Sequence, residues 1–281
     1  MIDAHLHVWD PAVLDYGWLT PAAGALHARF GVDDARRAAE RCAARTGVPV
    51  EGAILVQAAD TAVETEWLLA QADAAGGWVR GVVGWLPLRS PEAVATALAE
   101  RDARHVGVRH LLHDDPDPQL LTRLPVRASL ALVRDAGLPL DVPDAYPDLL
   151  AQAADVVDAV PGLVVVLDHL GKPPLGEDLD RWRRLVRELA ARPGTVAKVS
   201  GLATSTAPGV PWSAATARPA WDVALDAFGA DRLMLGSDYP IAPEAGDYAG
   251  SVGPLLELAA ELAPGERHAL LAGTARRVYG V

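Results

Sequence analysis

What this chain has little of narrows it first. One of its 281 residues is a cysteine, Cys42, so an intrachain disulfide framework is excluded and a reducing compartment is expected. Cys42 lies in the Ala-rich stretch Asp33–Arg45, which patterns as a helix, and it reads as a buried structural thiol rather than a nucleophile. Basic residues are outnumbered, 25 Lys and Arg against 37 Asp and Glu, for a formal charge of −12. Such a field repels nucleic acid and anionic membrane, and neither is expected as a partner. No apolar run approaches the length of a membrane span, and Met1–His5 carries neither a basic n-region nor an apolar h-region. These absences predict a cytoplasmic protein. No Ser/Gly-rich linker, charge block or short repeat divides the chain, so residues 1–281 are expected to form a single domain.

What is present is a regular alternation of short apolar strands with longer amphipathic segments. Strands are predicted at Ile2–His5, Ala53–Gln57, Gly81–Trp85, Val106–His110, Pro139–Val142, Val164–Asp168, Val196–Val199 and Leu233–Gly236. Each is brief and rich in Val, Leu or Ile, as parallel strands buried on both faces are. Helical runs lie between them, at Thr61–Ala75, Glu92–Arg101, Val126–Asp135, Pro147–Val160, Asp178–Ala191 and Arg218–Phe228, and two more, Ala249–Leu262 and Pro264–Val278, follow the last strand. Eight such alternations predict an α/β fold, a (β/α)₈ TIM barrel, distorted, with extra C-terminal helices. Asp10–Gly31 and Thr204–Trp212 read as long loops over one face.

A barrel of this kind collects its chemistry where the strands end. His5 and His7 end the first predicted strand, Gln57 the second, Trp85 the third, Arg109 and His110 the fourth, and Asp141 the fifth. Asp168 and His169 end the sixth, Lys198 and Ser200 the seventh, and Asp238 the eighth. Alternation of side chains along a strand turns His5 and His7 to the same side, so both imidazoles can converge on one atom. His113 falls in a loop after the fourth strand that can fold over the site; His27, His105 and His268 read as surface or capping residues.

Six segments, taken in order, carry a resemblance: Ile2-Asp-Ala-His-Leu-His-Val-Trp9, Leu55-Val-Gln-Ala58, Gly107-Val-Arg-His110, Leu167-Asp-His-Leu-Gly-Lys-Pro173, Lys198-Val-Ser-Gly201 and Leu235-Gly-Ser-Asp-Tyr-Pro240. With Gly273–Gly280 they resemble the amidohydrolase-2 branch of the amidohydrolase superfamily, most of all its sugar-lactonase (fuconolactonase, rhamnonolactonase) and pyrone-dicarboxylate lactonase group. The resemblance implies a barrel hydrolase that opens the lactone ring of a sugar acid, in carbohydrate metabolism. It also implies Asp238 as the general base.

Lactone opening needs an activated water, a polarised carbonyl and a proton for the departing alkoxide. Asp238 would take the water's proton and return it, while His5, His7 and His169 polarise the carbonyl directly or through a bound cation. His5, His7 and Asp238 are the candidate ligands of one divalent ion, Zn or Mn. Metal-dependent relatives add a histidine after the fifth strand, and Leu140-Asp-Val-Pro-Asp144 offers none, so metal-independent action stands beside the metal-assisted one. Arg109, His110, Gln57, Trp85, Lys172, Lys198, Trp9 and Tyr146 are placed to bind a polyhydroxylated ring, by hydrogen bonds and an aromatic platform. Arg109 lacks a second arginine beside it, which favours a neutral sugar-acid lactone over a dicarboxylate. The partner is a small molecule; a homo-oligomer is left open. The alternatives are a metal-dependent decarboxylase of the same branch and a non-catalytic ligand-binding barrel.

Overall fold

Buried apolar strands organise the molecule, whose computed structural model describes residues 1–242 and 245–281. Eight parallel strands form one sheet in sequence order: β1 (Ile2–Leu6), β2 (Gly52–Val56), β3 (Val79–Gly84), β4 (His105–Arg109), β5 (Leu140–Val142), β6 (Val165–Leu167), β7 (Thr195–Val199) and β8 (Leu233–Leu235). Nearly every strand residue is buried, because the strands are covered on both faces. The sheet closes on itself just past β8, where the Asp238 N–H donates to the His5 carbonyl at 2.8 Å and the His7 N–H to the Tyr239 carbonyl at 2.8 Å. Asp3 reinforces the seam. Its Oδ1 accepts from the backbone N–H groups of His5 and Ser237, and its Oδ2 from the Ser237 and Tyr248 hydroxyls.

The helices that return between strands are α1 (Val32–Thr46), α2 (Ala62–Ala74), α3 (Pro91–Ala99), α4 (Leu124–Asp135), α5 (Leu149–Ala159), α6 (Asp180–Ala190) and α7 (Ala214–Phe228); α8 (Tyr248–Ala259) follows β8. Side-chain caps start several of them. Thr61, Ser90, Ser213 and Asp247 accept from the backbone N–H three residues on. The largest apolar cluster lies between sheet and helices. A second fills the barrel, with Ile2, Ile54, Val83, Val106, Val166 and Met234 in contact with Ala272, Ala275 and Tyr279 at its base.

Predicted and observed strands agree in number and order and differ at their ends by one or two residues. Three helical segments differ more, and one of them, predicted over Ala249–Leu262, ends three residues earlier, at Ala259. The helix predicted from Arg218 begins at Ala214, because Ser213 caps it and Pro219 sits inside it rather than in its first turn. The run predicted over Pro264–Val278 is α9 (Pro264–His268), a π turn at Ala269–Gly273 and α10 (Thr274–Tyr279). His105 is also not a surface residue. It is buried at the start of β4, and loss of hydration, with the charge of Arg101, lowers its pKa to about 4.

Candidate active site

The C-terminal ends of the strands surround a cavity of about 280 Å³. β1 delivers His5 and His7, the turns after β6 and β8 deliver His169 and Asp238, and all four are buried. Their ring nitrogens and carboxylate oxygen crowd together. His5 Nε2 lies 3.0 Å from His7 Nε2, and Asp238 Oδ1 stands 3.4 Å from His7 Nε2, 3.6 Å from His5 Nε2 and 3.8 Å from His169 Nε2. His7, His169 and Asp238 line the cavity together with Arg109 and Lys172; His5 stands behind His7 and does not.

Backbone strain is concentrated here. Among the described residues, the non-glycine positions with positive φ are Asp144, His169, Leu170, Lys172 and Asp238, and four of them line the cavity. Each costs on the order of 1–3 kcal/mol and persists only where the surroundings enforce it. Gly201 makes the arrangement possible. At φ +58, a Cβ there would lie 2.5 Å from Asp238 Oδ2 and 2.6 Å from His169 Nδ1.

The electrostatics set the protonation states. Burial pushes the Asp238 carboxyl up, but the adjacent imidazoles of His169 and His7 and the Lys172 side chain outweigh it and hold the group below its ordinary value, ionised. Burial holds His5 and His169 well below the usual imidazole range, with Lys198 adding to the effect at His5 and Asp238 partly opposing it at His169. Val56 offers only a carbonyl to His7 Nδ1, at 2.8 Å, so that nitrogen carries the proton and Nε2 faces the site. His169 Nδ1 meets the Ser200 hydroxyl at 2.9 Å.

Neutral imidazoles beside an ionised carboxylate form a donor set that zinc accepts. His5, His169 and Asp238 each offer a ligand atom within 4.8 Å of the others. The 3.0 Å between the Nε2 atoms of His5 and His7 is near the roughly 3.0–3.4 Å expected of two nitrogens sharing one zinc. Asp238 Oδ2 is buried without a partner. The residues therefore fit a divalent cation. β5 contributes no histidine; its Asp141 is held by Lys198 at 2.5 Å and by the Tyr279 hydroxyl at 2.9 Å.

The other sequence-selected residues divide into two groups. Arg109 and Lys172 reach the cavity; Arg109 also donates to the Gln57 carbonyl at 2.9 Å, and Lys172 meets Thr204 Oγ1 at 2.5 Å. Gln57, His110, Trp85, Lys198, Trp9 and Tyr146 make their contacts within the protein. Gln57 donates to Asp60 and to the Arg109 carbonyl, and Trp85 donates to His110, which meets Asp115 at 2.8 Å. Trp9 is fully buried and donates to the Leu26 and Ala28 carbonyls, while the Tyr146 ring lies under Arg181. The aromatic wall is Trp18, packed edge-on to Trp9 and donating to the Ala58 carbonyl at 2.7 Å. Trp18 and Asp144 had no claim from motif position, since loop conformation places both, whereas Asp168 ends the sixth predicted strand and is held by an ion pair with Lys198. His113, expected in a covering loop, also lines the cavity.

Comparison with known proteins gives matches over the whole chain. The amidohydrolase family model Amidohydro_2 matches residues 2–281. An L-fucono-1,5-lactonase from Burkholderia multivorans is 35% identical over 303 residues, covering 100% of this chain and 96% of that protein. The Burkholderia ambifaria protein of the same name is 33% identical, covering 100% and 95%. A crystal structure of an amidohydrolase from Burkholderia multivorans with bound zinc superposes with a TM-score of 0.86 at 33% identity, covering 100% of this chain and 99% of that one.

Proposed function

The chain belongs to the Amidohydro_2 amidohydrolases, and within that family we propose that it hydrolyses the lactone of a sugar acid, with Asp238 as general base. The observation that carries the reading is the placement of Asp238. It is a buried, ionised carboxylate at the cavity wall, 3.4–3.8 Å from three imidazole nitrogens, in a chain 35% identical to an L-fucono-1,5-lactonase. A carboxylate so placed takes a proton from a water in the cavity as the water attacks the lactone carbonyl, and returns it to the ring oxygen as the C–O bond breaks.

His169 faces the same space and bears on the carbonyl oxygen as charge builds there, whereas His7, with its proton on Nδ1, would act on that oxygen only through a bound cation. When the Ser200 hydroxyl donates to Nδ1, His169 carries its own proton on Nε2, directed at the cavity. His5, one layer back, holds His7. His5, His169 and Asp238, with His7 alongside, are the residues that would hold a divalent cation; such an ion supplies Lewis-acid polarisation and acidifies water.

A neutral ring suits the cavity better than a dicarboxylate. Its cations are Arg109 and Lys172, and Arg109 lies 3.3 Å from Asp168 while Asp144 and Asp114 share the lining. Trp18, Leu26, Ala58 and Ile241 supply an apolar wall against the C–H faces of a sugar ring.

The experiment is a pH-indicator screen of five- and six-membered sugar-acid lactones, with chelator and with added Zn²⁺ or Mn²⁺. Acid release above the spontaneous rate, lost in Asp238→Asn, is the expected result. Silence across the panel in every metal condition, or full turnover in Asp238→Asn, overturns the reading.

A further inference from the structure

Behind the cavity, a buried polar column runs up the barrel axis. The Tyr279 hydroxyl, on α10 at the base, donates to Asp141 at 2.9 Å. Asp141 accepts from Lys198 Nζ at 2.5 Å. The same ammonium stands 3.1 Å from Asp168 Oδ1 and 3.1 Å from His5 Nδ1. Lys198, Asp141 and Asp168 are completely buried. A lysine ammonium has three N–H groups, and here three acceptors surround it.

His5 Nδ1 thus faces a donor and an acceptor at once, Lys198 Nζ at 3.1 Å and Asp168 Oδ1 at 3.3 Å. Neither Asp168 oxygen accepts a well-aligned hydrogen bond, so the carboxylate has capacity left for a ring N–H. The far side of the ring has two corresponding states. If Lys198 donates to Nδ1, the ring proton is on Nε2 and points at His7 Nε2, whose lone pair is free because its own proton is committed to Val56. If Nδ1 carries the proton and gives it to Asp168, two Nε2 lone pairs meet across 3.0 Å, and only a positive centre makes that arrangement favourable.

We propose that Lys198 and Asp168 form a two-position support for the His5 ring. Lys198 holds the Nε2–H tautomer when no cation is bound, and Asp168 holds the Nδ1–H tautomer when a divalent cation occupies the imidazole cluster. One proton leaves Nε2 and one arrives at Nδ1, both exchanged with solvent, so the ring stays neutral throughout. Asp141 and Tyr279 keep the ammonium within reach of Nδ1. All four are positioning residues, acting through His5. The inference rests on the cation-holding part of the reading above and not on the lactone. Its readouts contain no turnover, so failure of either leaves the other standing.

The test is long-range ¹H–¹⁵N spectroscopy of ¹⁵N-histidine-labelled full-length protein, metal-free and titrated with zinc sulfate. His5 is expected to bear its proton on Nε2 in the metal-free protein and on Nδ1 in the zinc-loaded one, while His7 stays Nδ1–H in both and serves as internal control. Calorimetric titration of Asp168→Asn should give a zinc Kd weakened about tenfold, the scale on which hydrogen-bond partners of metal-bound histidines act. Tyr279→Phe, which keeps the packed ring, should erode the Nε2–H preference in the metal-free protein. A His5 tautomer that zinc leaves unchanged overturns the proposal, as does an Asp168→Asn zinc Kd within twofold of wild type. Should Asp168→Asn fail to fold, the wild-type spectra decide.

Discussion

The two ends of the barrel are built from the same eight strands and have opposite characters. At the base, the strand starts and α10 pack Ile2, Ile54, Val106, Met234, Ala275 and Tyr279 into an apolar plug. At the mouth, the strand ends present His5, His7, Arg109, His169 and Asp238, and the positive-φ residues other than glycine cluster there. One end is relaxed and dry; the other is strained and charged. The difference teaches that stability and chemistry are assigned to separate layers of one sheet, with the Tyr279–Asp141–Lys198 column passing between them.

Substitutions at each end should therefore break different properties. The largest effect is expected at the mouth: Asp238→Asn should lower kcat by about three orders of magnitude, the range for loss of a general base. Its melting temperature should stay within a few degrees of wild type, measured on the same preparation. An unfolded variant would show that mouth and base are not separable.

At the base, Ile54→Ala removes a fully buried side chain from the plug. Denaturant titration should show a loss of about 2–5 kcal/mol, with kcat near wild type at low temperature.

The next effect concerns pH and is also at the base. His105 has its pKa lowered from 6.5 to about 4 by burial and by Arg101. The unfolded chain takes up this proton as pH falls through 6.5, and the folded protein refuses it until about 4. His105 therefore costs stability progressively as pH falls across that window, by roughly 3 kcal/mol in full. His105→Asn should flatten the fall in unfolding free energy between those values. An unchanged slope would place the acid sensitivity elsewhere.

The smallest effect sharpens the division within the mouth. Trp18→Ala removes apolar wall and no ionisable group, so KM should rise several-fold with kcat little changed, as loss of uniform binding does. A kcat loss matching the KM rise would make Trp18 part of the transition-state apparatus.

Much of this organisation was legible in the sequence, for identifiable reasons. Parallel strands covered on both faces must be short and apolar, so Val165–Leu167 or Leu233–Leu235 could hardly read otherwise. His7, His169 and Asp238 sit at or just beyond strand ends, where local position alone carries them to the mouth. Trp9 and Trp18 show where that logic stops. Trp9 is nearer the strand, yet the bridge between Trp9 and Phe30 folds its ring inward and brings Trp18 to the cavity. The π turn at Ala269–Gly273 likewise answers to packing under the barrel rather than to a local signal. For Lys198 there was a signal to be read. Lys172 and Lys198 are the chain's two lysines among 25 basic residues, and both occur in the polar mouth or directly beneath it. A compact ammonium fits among Asp141, Asp168 and His5 where a planar guanidinium, with its broader fork, would not.

The seam at Asp3 bears on how activity is acquired. Its carboxylate joins residues separated by 234 positions at Ser237 and 245 at Tyr248, and the same seam brings His5 and His7 to Asp238. Bringing such distant segments together costs roughly 5 kcal/mol in chain entropy before any contact forms. Contacts of this span slow folding. During refolding, helices and neighbouring strands can form while the centre is still in two pieces. Recovery of turnover would then lag recovery of helical signal, making catalysis a clock for the meeting of the first strand and the last.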